Sequence, residues 1–510
     1  MSDTQQREES AKALYSRLKQ ERDSYTRRAE ACAKVTIPSL FPEESASASS
    51  SFDQPYQSIG SRCLNNLSNK LLLALFPPNA TFFRLQASAE LTNAADGSDE
   101  NKKKLDAALA GLEQLILRYI ESNQIRVTIG EGLKQLAIAG NCLLYLPPNG
   151  GIKLYKLHNY VVQRDALGTV IHIVTVDGIA YAALPDELKG MVDDNDIKPE
   201  TQVDVYTHIY LEDGQYLSYQ EINEKAVPGS DGSYPQNNYP WFPLRMVKVD
   251  GESYGRGYVE EYYGDLKEAD AVSKSLGELI ALEAFVVHLV NPTGQTRIKP
   301  LKDAKSGDFI PGRPDDISVY QTGKAGSIQI AMSFLQSIAE RLGYAFMLNS
   351  SVQRNGERVT AEEIRYVAQE LEDNLGSIYS ILTQELQLPL VRRLLSQLQT
   401  AGYIKELPEG AVNPQITTGM EALGRGHDLM KLQTFLQFAA TLPETASRLK
   451  GGGILSMAAN SLGLDTSTLV KSDEEVQQEQ EQAALMQAAQ SAIPEAAQQG
   501  LPGGAPQPQQ

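Results

Sequence analysis

Three cysteines, five histidines and one tryptophan are all that 510 residues hold of those types. Cys32, Cys63 and Cys142 are odd in number and form no C-x-x-C pair, which argues against a disulfide framework or a zinc ribbon. Buried free thiols in a reducing compartment are the expectation. The histidines, at 158, 172, 208, 288 and 427, are scattered singly, and no H-E-x-x-H occurs. No metal centre and no cofactor are therefore expected. Long apolar runs are missing as well. The opening residues MSDTQQREES hold no apolar h-region, so no signal peptide is expected. The most apolar helical stretch, 272–290, carries Lys274, Glu278, Glu283 and His288, too many polar groups for a membrane span. A soluble chain without membrane contact follows. Positive charge is also short: 46 Lys+Arg stand against 64 Asp+Glu, a net charge of −18. Proteins that grip nucleic acid cluster Lys and Arg against phosphate. An all-round grip is excluded; a protein that DNA slides past is not.

What is present fits a multidomain chain of α+β class, mainly helical. Leu14, Leu18 and Tyr25 sit at helical spacing before Pro38, and further helices are expected over 62–76, 105–121 and 127–139. A Ser/Ala-rich loop is expected at 45–51. The period then changes. Residues 152–183 hold β-branched and aromatic runs with a turn at 165–168, and Glu212, Asp213 and Gly214 join strands at 203–211 and 215–222 as a hairpin. A further strand is expected at 246–249, with Pro235, Pro240 and Pro243 making the preceding chain irregular. Helix returns at 258–290, read as one long helix, and at 328–348, where Leu335, Ile338, Leu342 and Ala345 share a face. Between them 291–327 is broken by Pro292, Pro300, Pro311 and Pro314. Thr360 and Glu363 form a capping box for a helix expected to stop at Pro389, with another helix at 391–400. From 472 the chain turns Gln/Ala-rich and is expected to be disordered.

Two motifs carry possible chemistry. Gly251, Ser253 and Gly255 match G-x-S-x-G between an expected strand and a helix, the context of a nucleophile elbow. That chemistry needs a parallel sheet and a later acid and His. Only His288 and His427 follow, and the upstream strands read as hairpins, so a Gly-rich turn entering a helix is the better account. Gly307 and Gly312 have P-loop spacing, but Arg313 and Pro314 stand where Lys and Ser/Thr must hold phosphate and magnesium. An acidic cluster, Glu362, Glu363, Glu370, Glu372 and Asp373, reads as a solvated helix face. Basic residues gather only locally, as Arg297, Lys299, Lys302, Lys305, Arg313 and Lys324 in the Pro-rich insert and Arg354 and Arg358 in the polar loop 349–359.

The stretches 35–42, 119–123, 160–165, 204–210, 250–256, 346–350 and 358–366 occur in the order found in one family. The chain resembles the portal, or head-to-tail connector, proteins of autographivirus-type short-tailed bacteriophages (podoviruses), from about residue 30 to 470. The tail after 470 departs from their pattern. The resemblance implies a ring, usually of twelve copies, around a central channel at one capsid vertex, with wing, stem, clip and crown. By element order the wing is 1–257, the stem helices 258–290 and 328–348, and the clip 291–327. The tunnel loop is 349–359, the wing return 360–414, the crown 415–470 and the tail 471–510. The implied function is mechanical, with no enzymatic step. Double-stranded DNA passes through the channel during packaging and ejection. The clip cations would dock terminase and later the tail adaptor and tail tube. Arg354 and Arg358, with Gln353 and Glu357, would face DNA from the tunnel loop. Major capsid, scaffold and internal core proteins are the other implied partners, and the implied location is the virion, assembled in the host cytoplasm. A serine hydrolase using Ser253, or another assembly protein such as a scaffold or tail adaptor, remains as an alternative.

Overall fold

The computed structural model describes residues 9–47, 49–78, 81–88, 99–192, 198–284, 287–320, 325–348, 371, 374–405, 412–416, 435–437, 439 and 454–455. The chain divides into two units, Met1–Gly419 and Met420–Gln510. The second is described at six positions only, so most of the expected crown and all of the Gln-rich tail lie outside the described residues, as do Thr360 and the acidic cluster Glu362, Glu363, Glu370, Glu372 and Asp373.

The first helix, α1 (Ala11–Lys34), begins where its orphan amides find acceptors. Ser10 Oγ accepts from Ala13 N. Glu221, distant in sequence, accepts from Ala11 N at 2.8 Å and Lys12 N at 3.1 Å. A carboxylate at a helix N-terminus satisfies free N–H groups and meets the positive end of the helix dipole. Glu221 lies on a six-stranded antiparallel sheet, ordered β4 (Tyr160–Arg164), β5 (Val170–Ala180), β6 (Gln202–Glu212), β7 (Gln215–Ile222) and β8 (Lys225–Ala226), with β9 (Gly232–Pro235) also on β7. Leu14, Tyr15 and Leu18 bury against Val161, Val174 and Tyr219 of that sheet. The β6–β7 turn is the one expected: Asp213 and Gly214 both take positive φ, 48° and 77°, as a two-residue hairpin turn requires.

The main core joins α2 (Ile59–Leu75), α3 (Asp99–Ser122) and α4 (Ile125–Ala139) to a three-stranded sheet ordered β10 (Trp241–Arg245), β2 (Asn141–Tyr145), β3 (Lys153–Tyr155). A third pairing, β1 (Phe83–Ala87) with β13 (Val412–Ile416), ties the N-terminal helices to a much later segment. All three cysteines are buried. Burial pushes each thiol up, Cys32 and Cys63 to about 12, so they pack as small apolar groups.

Five expectations change. The long helix at 258–290 is instead a short turn, Tyr258–Glu261, followed by α5 (Tyr263–Glu283). Val287–Val290 then forms strand β11, which pairs with β12 (Ile317–Tyr320); apolar residues at 287–290 fit either period until a partner strand decides. Residues 246–249 are not a strand, and a lone bridge joins Val247 to Arg256. The strand falls earlier, on Trp241–Arg245, through Pro243, and Gly232–Pro235 is strand as well, so the Pro-containing stretch is less irregular than expected. Proline is tolerated in β10 because that strand is at the sheet edge. Pro389 does not end its helix. Residues 374–382 are helical, Thr383–Gln387 widens to a π turn, and α7 (Leu388–Thr400) continues with Pro389 in its first turn, where a missing N–H costs least. Finally, His172 and His208 are not single: their ring nitrogens lie 3.1 Å apart on adjacent strands.

Candidate functional site

α5 and α6 (Ala325–Ala345) form a helical hairpin around the Pro-rich insert. Its base is embedded in the body. Leu266, Ala269, Ile338, Leu342 and Phe346 are buried in the main core, on the face expected for α6. Arg341 on α6 reaches Asp265 on α5 at 2.8 Å. The last carbonyls of α6 have donors from elsewhere. Asn66 Nδ2 donates to the carbonyls of Phe346 and Met347, Lys70 Nζ to that of Met347, and Tyr258 Oη to that of Ala345. Met347 takes φ 55°, a left-handed turn that ends the helix. The point where the chain leaves for 349–359 is therefore fixed by α2. Sequence reasoning missed Asn66 and Lys70, which stand at i, i+4 on α2 but among Ser61, Arg62, Asn65, Ser68 and Asn69, so their spacing alone did not single them out.

Away from the base burial thins to Leu276 on α5 and Asp316 in the insert among the described residues. Eleven of the seventeen large hydrophobic side chains that are exposed among the described residues lie between 280 and 344. They include Ile280 and Leu282 at the end of α5, Ile330, Met332 and Phe334 at the start of α6, and Phe309 in the insert.

One carboxylate ties the two ends of the insert together. Asp316 Oδ2 accepts from Gln295 N, Thr296 N and Thr296 Oγ1 at 2.8–3.0 Å. The Thr296 hydroxyl, the two amides and the Arg313 charge hold the Asp316 carboxyl below the usual aspartate range. Around this knot Arg297, Lys299, Lys302, Lys305 and Arg313 are all exposed, with Lys299 and Lys302 on the short helix Ile298–Lys302. Five of the six expected insert cations are thus exposed. Lys324 lies outside the described residues, as do Gln353, Arg354, Glu357 and Arg358.

The G-x-S-x-G segment is a structural turn. Gly251 has φ 76°. A Cβ on Gly255 would lie 3.0 Å from Gly140 O. Asn141 clamps Gly255 from both sides, its Oδ1 accepting from Gly255 N and its Nδ2 donating to Gly255 O, each at 2.7 Å. Ser253 Oγ accepts from Arg164 N at 3.4 Å, where a nucleophile would need an imidazole acceptor. The sheets are antiparallel among the described residues, so the elbow's parallel scaffold is missing there and the hydrolase alternative is not favoured. Among those residues no three His, Cys, Asp or Glu side chains converge as a metal site, and no helix is long and apolar enough to cross a membrane.

The family model described as bacteriophage head to tail connecting protein matches residues 8–470. The chain belongs to that family. It is 48% identical to the portal protein of Enterobacteria phage T3 and 48% identical to that of Escherichia phage T7, in each case over 94% of this chain and 91% of the relative. It is 32% identical to the portal protein of Enterobacteria phage SP6, over 93% of this chain and 92% of that one. The match to phage portal proteins is thus nearly end to end, and the fold is a mixed helix–sheet one.

Proposed function

We propose that copies of this chain close into a ring at the head–tail junction and form the conduit for double-stranded DNA. The observation that carries this is the run of exposed large apolar side chains along the helical hairpin and its insert. Exposed apolar groups gathered on one part of a chain suit an interaction face, and a cyclic assembly buries such a face on every copy. α5 and α6 then act as stem and the insert as clip. Its exposed cations Arg297, Lys299, Lys302, Lys305 and Arg313, with Lys324, dock the terminase and later the tail proteins. Arg354 and Arg358, with Gln353 and Glu357 in the segment 349–359, meet the duplex. The crown, wing and tail assignments of the remaining segments follow the same order of elements. The net charge of −18 suits a wall that DNA slides along, because dense cationic contacts would hold phosphate.

Negative-stain electron microscopy of the purified chain tests the assembly. Rings with a hole wide enough for a duplex are expected; compact monomers at every concentration would refute it. Replacing Arg354 and Arg358 with Ala is expected to impair DNA retention in filled heads. Unchanged packaging and retention would remove both from the conduit.

A further inference from the structure

The paired histidines on the six-stranded sheet have no part in the proposed conduit. β5 and β6 pair His172 with Tyr210 and Val174 with His208, so His172 and His208 are diagonal neighbours on one face. His172 Nδ1 lies 3.1 Å from His208 Nε2. The far nitrogen of His208, Nδ1, lies 3.3 Å from the Tyr219 hydroxyl on β7. His208 is buried and His172 half-buried.

We propose that His172 and His208 chelate a borderline divalent transition metal, with Cu²⁺, Ni²⁺ and Zn²⁺ as the candidate ions. Two nitrogens about 2.0–2.1 Å from one ion stand about 2.9 Å apart at a right angle and about 3.4 Å apart in a tetrahedron. The observed 3.1 Å lies between those limits, on a backbone that three paired strands hold rigid. A metal-bound imidazole is normally oriented by a hydrogen bond from its other nitrogen. Tyr219 supplies it: with the Nδ1 proton of His208 donated to the Tyr219 oxygen, the Nε2 lone pair faces His172. In the metal-free pair His172 Nδ1–H donates to that lone pair. Binding shifts this proton to His172 Nε2, freeing the second lone pair, so both ligands are neutral imidazoles and no net proton is released near pH 7. Arg17 of α1 and Glu9 just before it are paired at 3.0 Å, and among the described residues Asp204, Tyr206, Tyr210, Tyr219 and Glu221 are further titratable groups on that face of β6 and β7. Affinity should then follow the intrinsic order Cu²⁺ > Ni²⁺, with Zn²⁺ also below Cu²⁺.

The test uses untagged full-length protein stripped with EDTA. Metal binding to the folded state raises the melting temperature. A rise with Cu²⁺, smaller rises with Ni²⁺ and Zn²⁺, and loss of all three in His172→Gln are expected. Tyr219→Phe should weaken binding by about 10–100-fold, the usual cost of losing an orienting partner. No shift in the parent protein, or an equal shift in His172→Gln, overturns the proposal and leaves a hydrogen-bonded pair. Should His172→Gln not fold, the Cu²⁺ electron paramagnetic resonance spectrum of the parent decides: two equatorial nitrogens support the chelate, and an all-oxygen set overturns it.

Discussion

The body and the helical hairpin are built from the same chain on opposite terms. In the body, polar groups are spent internally. Arg22 is fully buried with Nη1 on the His158 carbonyl and the Tyr15 hydroxyl. Arg245 is buried against Glu385, and Arg164 reaches the carbonyls of Gly168, Ser253 and Pro243. In the hairpin beyond its base, the polar groups face solvent and so do Ile280, Ile330, Phe334 and Phe309. A chain that stabilises itself hides most of its apolar groups and satisfies most of its polar ones. The body follows that rule for its apolar core, although some buried polar atoms, Arg22 Nε among them, have no hydrogen-bond partner. The hairpin beyond its base leaves its large apolar groups exposed.

The widest separation between the two regions comes from one substitution in each. Leu71, fully buried in α2, should cost about 2–5 kcal/mol as Leu71→Ala, through lost burial and a residual cavity. Denaturant melts should show that loss whether or not rings form. Ile330 is 73% exposed, so Ile330→Asp should move the stability of the isolated chain by less than about 0.5 kcal/mol while abolishing rings in sedimentation. Rings that survive Ile330→Asp would break the comparison. Next in size is Glu385→Ala. It leaves Arg245 buried without its carboxylate, and removing one partner of a buried pair costs about 3–5 kcal/mol. Because Glu385 keeps partial exposure, the low end is expected, read as a lower urea midpoint with an unchanged slope.

The body was also the more legible region. The β6–β7 hairpin could be read because Asp213-Gly214 is a local signal, and α2 and α4 because their apolar spacing is one-sided. What failed depended on distant partners. Nothing local in Val287–Val290 reports that Ile317–Tyr320 will lie beside it. Pro243 hid β10 because a proline argues against a strand until the strand is known to be an edge. Pro389 looked like a stop because a π turn before it leaves no mark on spacing. Of the site, the cations of the insert were visible as composition. The Asp316 knot, the Asn66 and Lys70 cap and the His172–His208 pair were not, since each joins residues brought together only by the fold.

A smaller effect sharpens the comparison inside the insert. The Asp316 carboxyl titrates below its ordinary range because it accepts from Thr296 and Gln295. A group lowered on folding contributes stability above its unfolded pKa, near 3.9, and loses it as the pH falls through the lower folded value. Amide exchange at Gln295 and Thr296 should therefore stay protected from pH 7 down to about 4 and open below it. Asp316→Asn should open both amides at every pH while the melting of the body stays unchanged.

The smallest expected effect lies at the junction of the two regions. Arg341 and Asp265 join α6 to α5 at 2.8 Å, but the side chains are 50% and 30% exposed. Exposed pairs contribute about 0.2–1 kcal/mol. Arg341→Ala should fall in that range at low salt and become indistinguishable from the parent at 1 M salt, where the Debye length is about 3 Å. The base of the hairpin would then owe its position to Leu266, Ile338 and Leu342, and the ion pair would set only the angle at which two solvated helices leave the body. A cost well above that range, persisting in high salt, would mean that water does not reach the pair, and that the ordered body extends further along α5 and α6 than their exposed faces indicate.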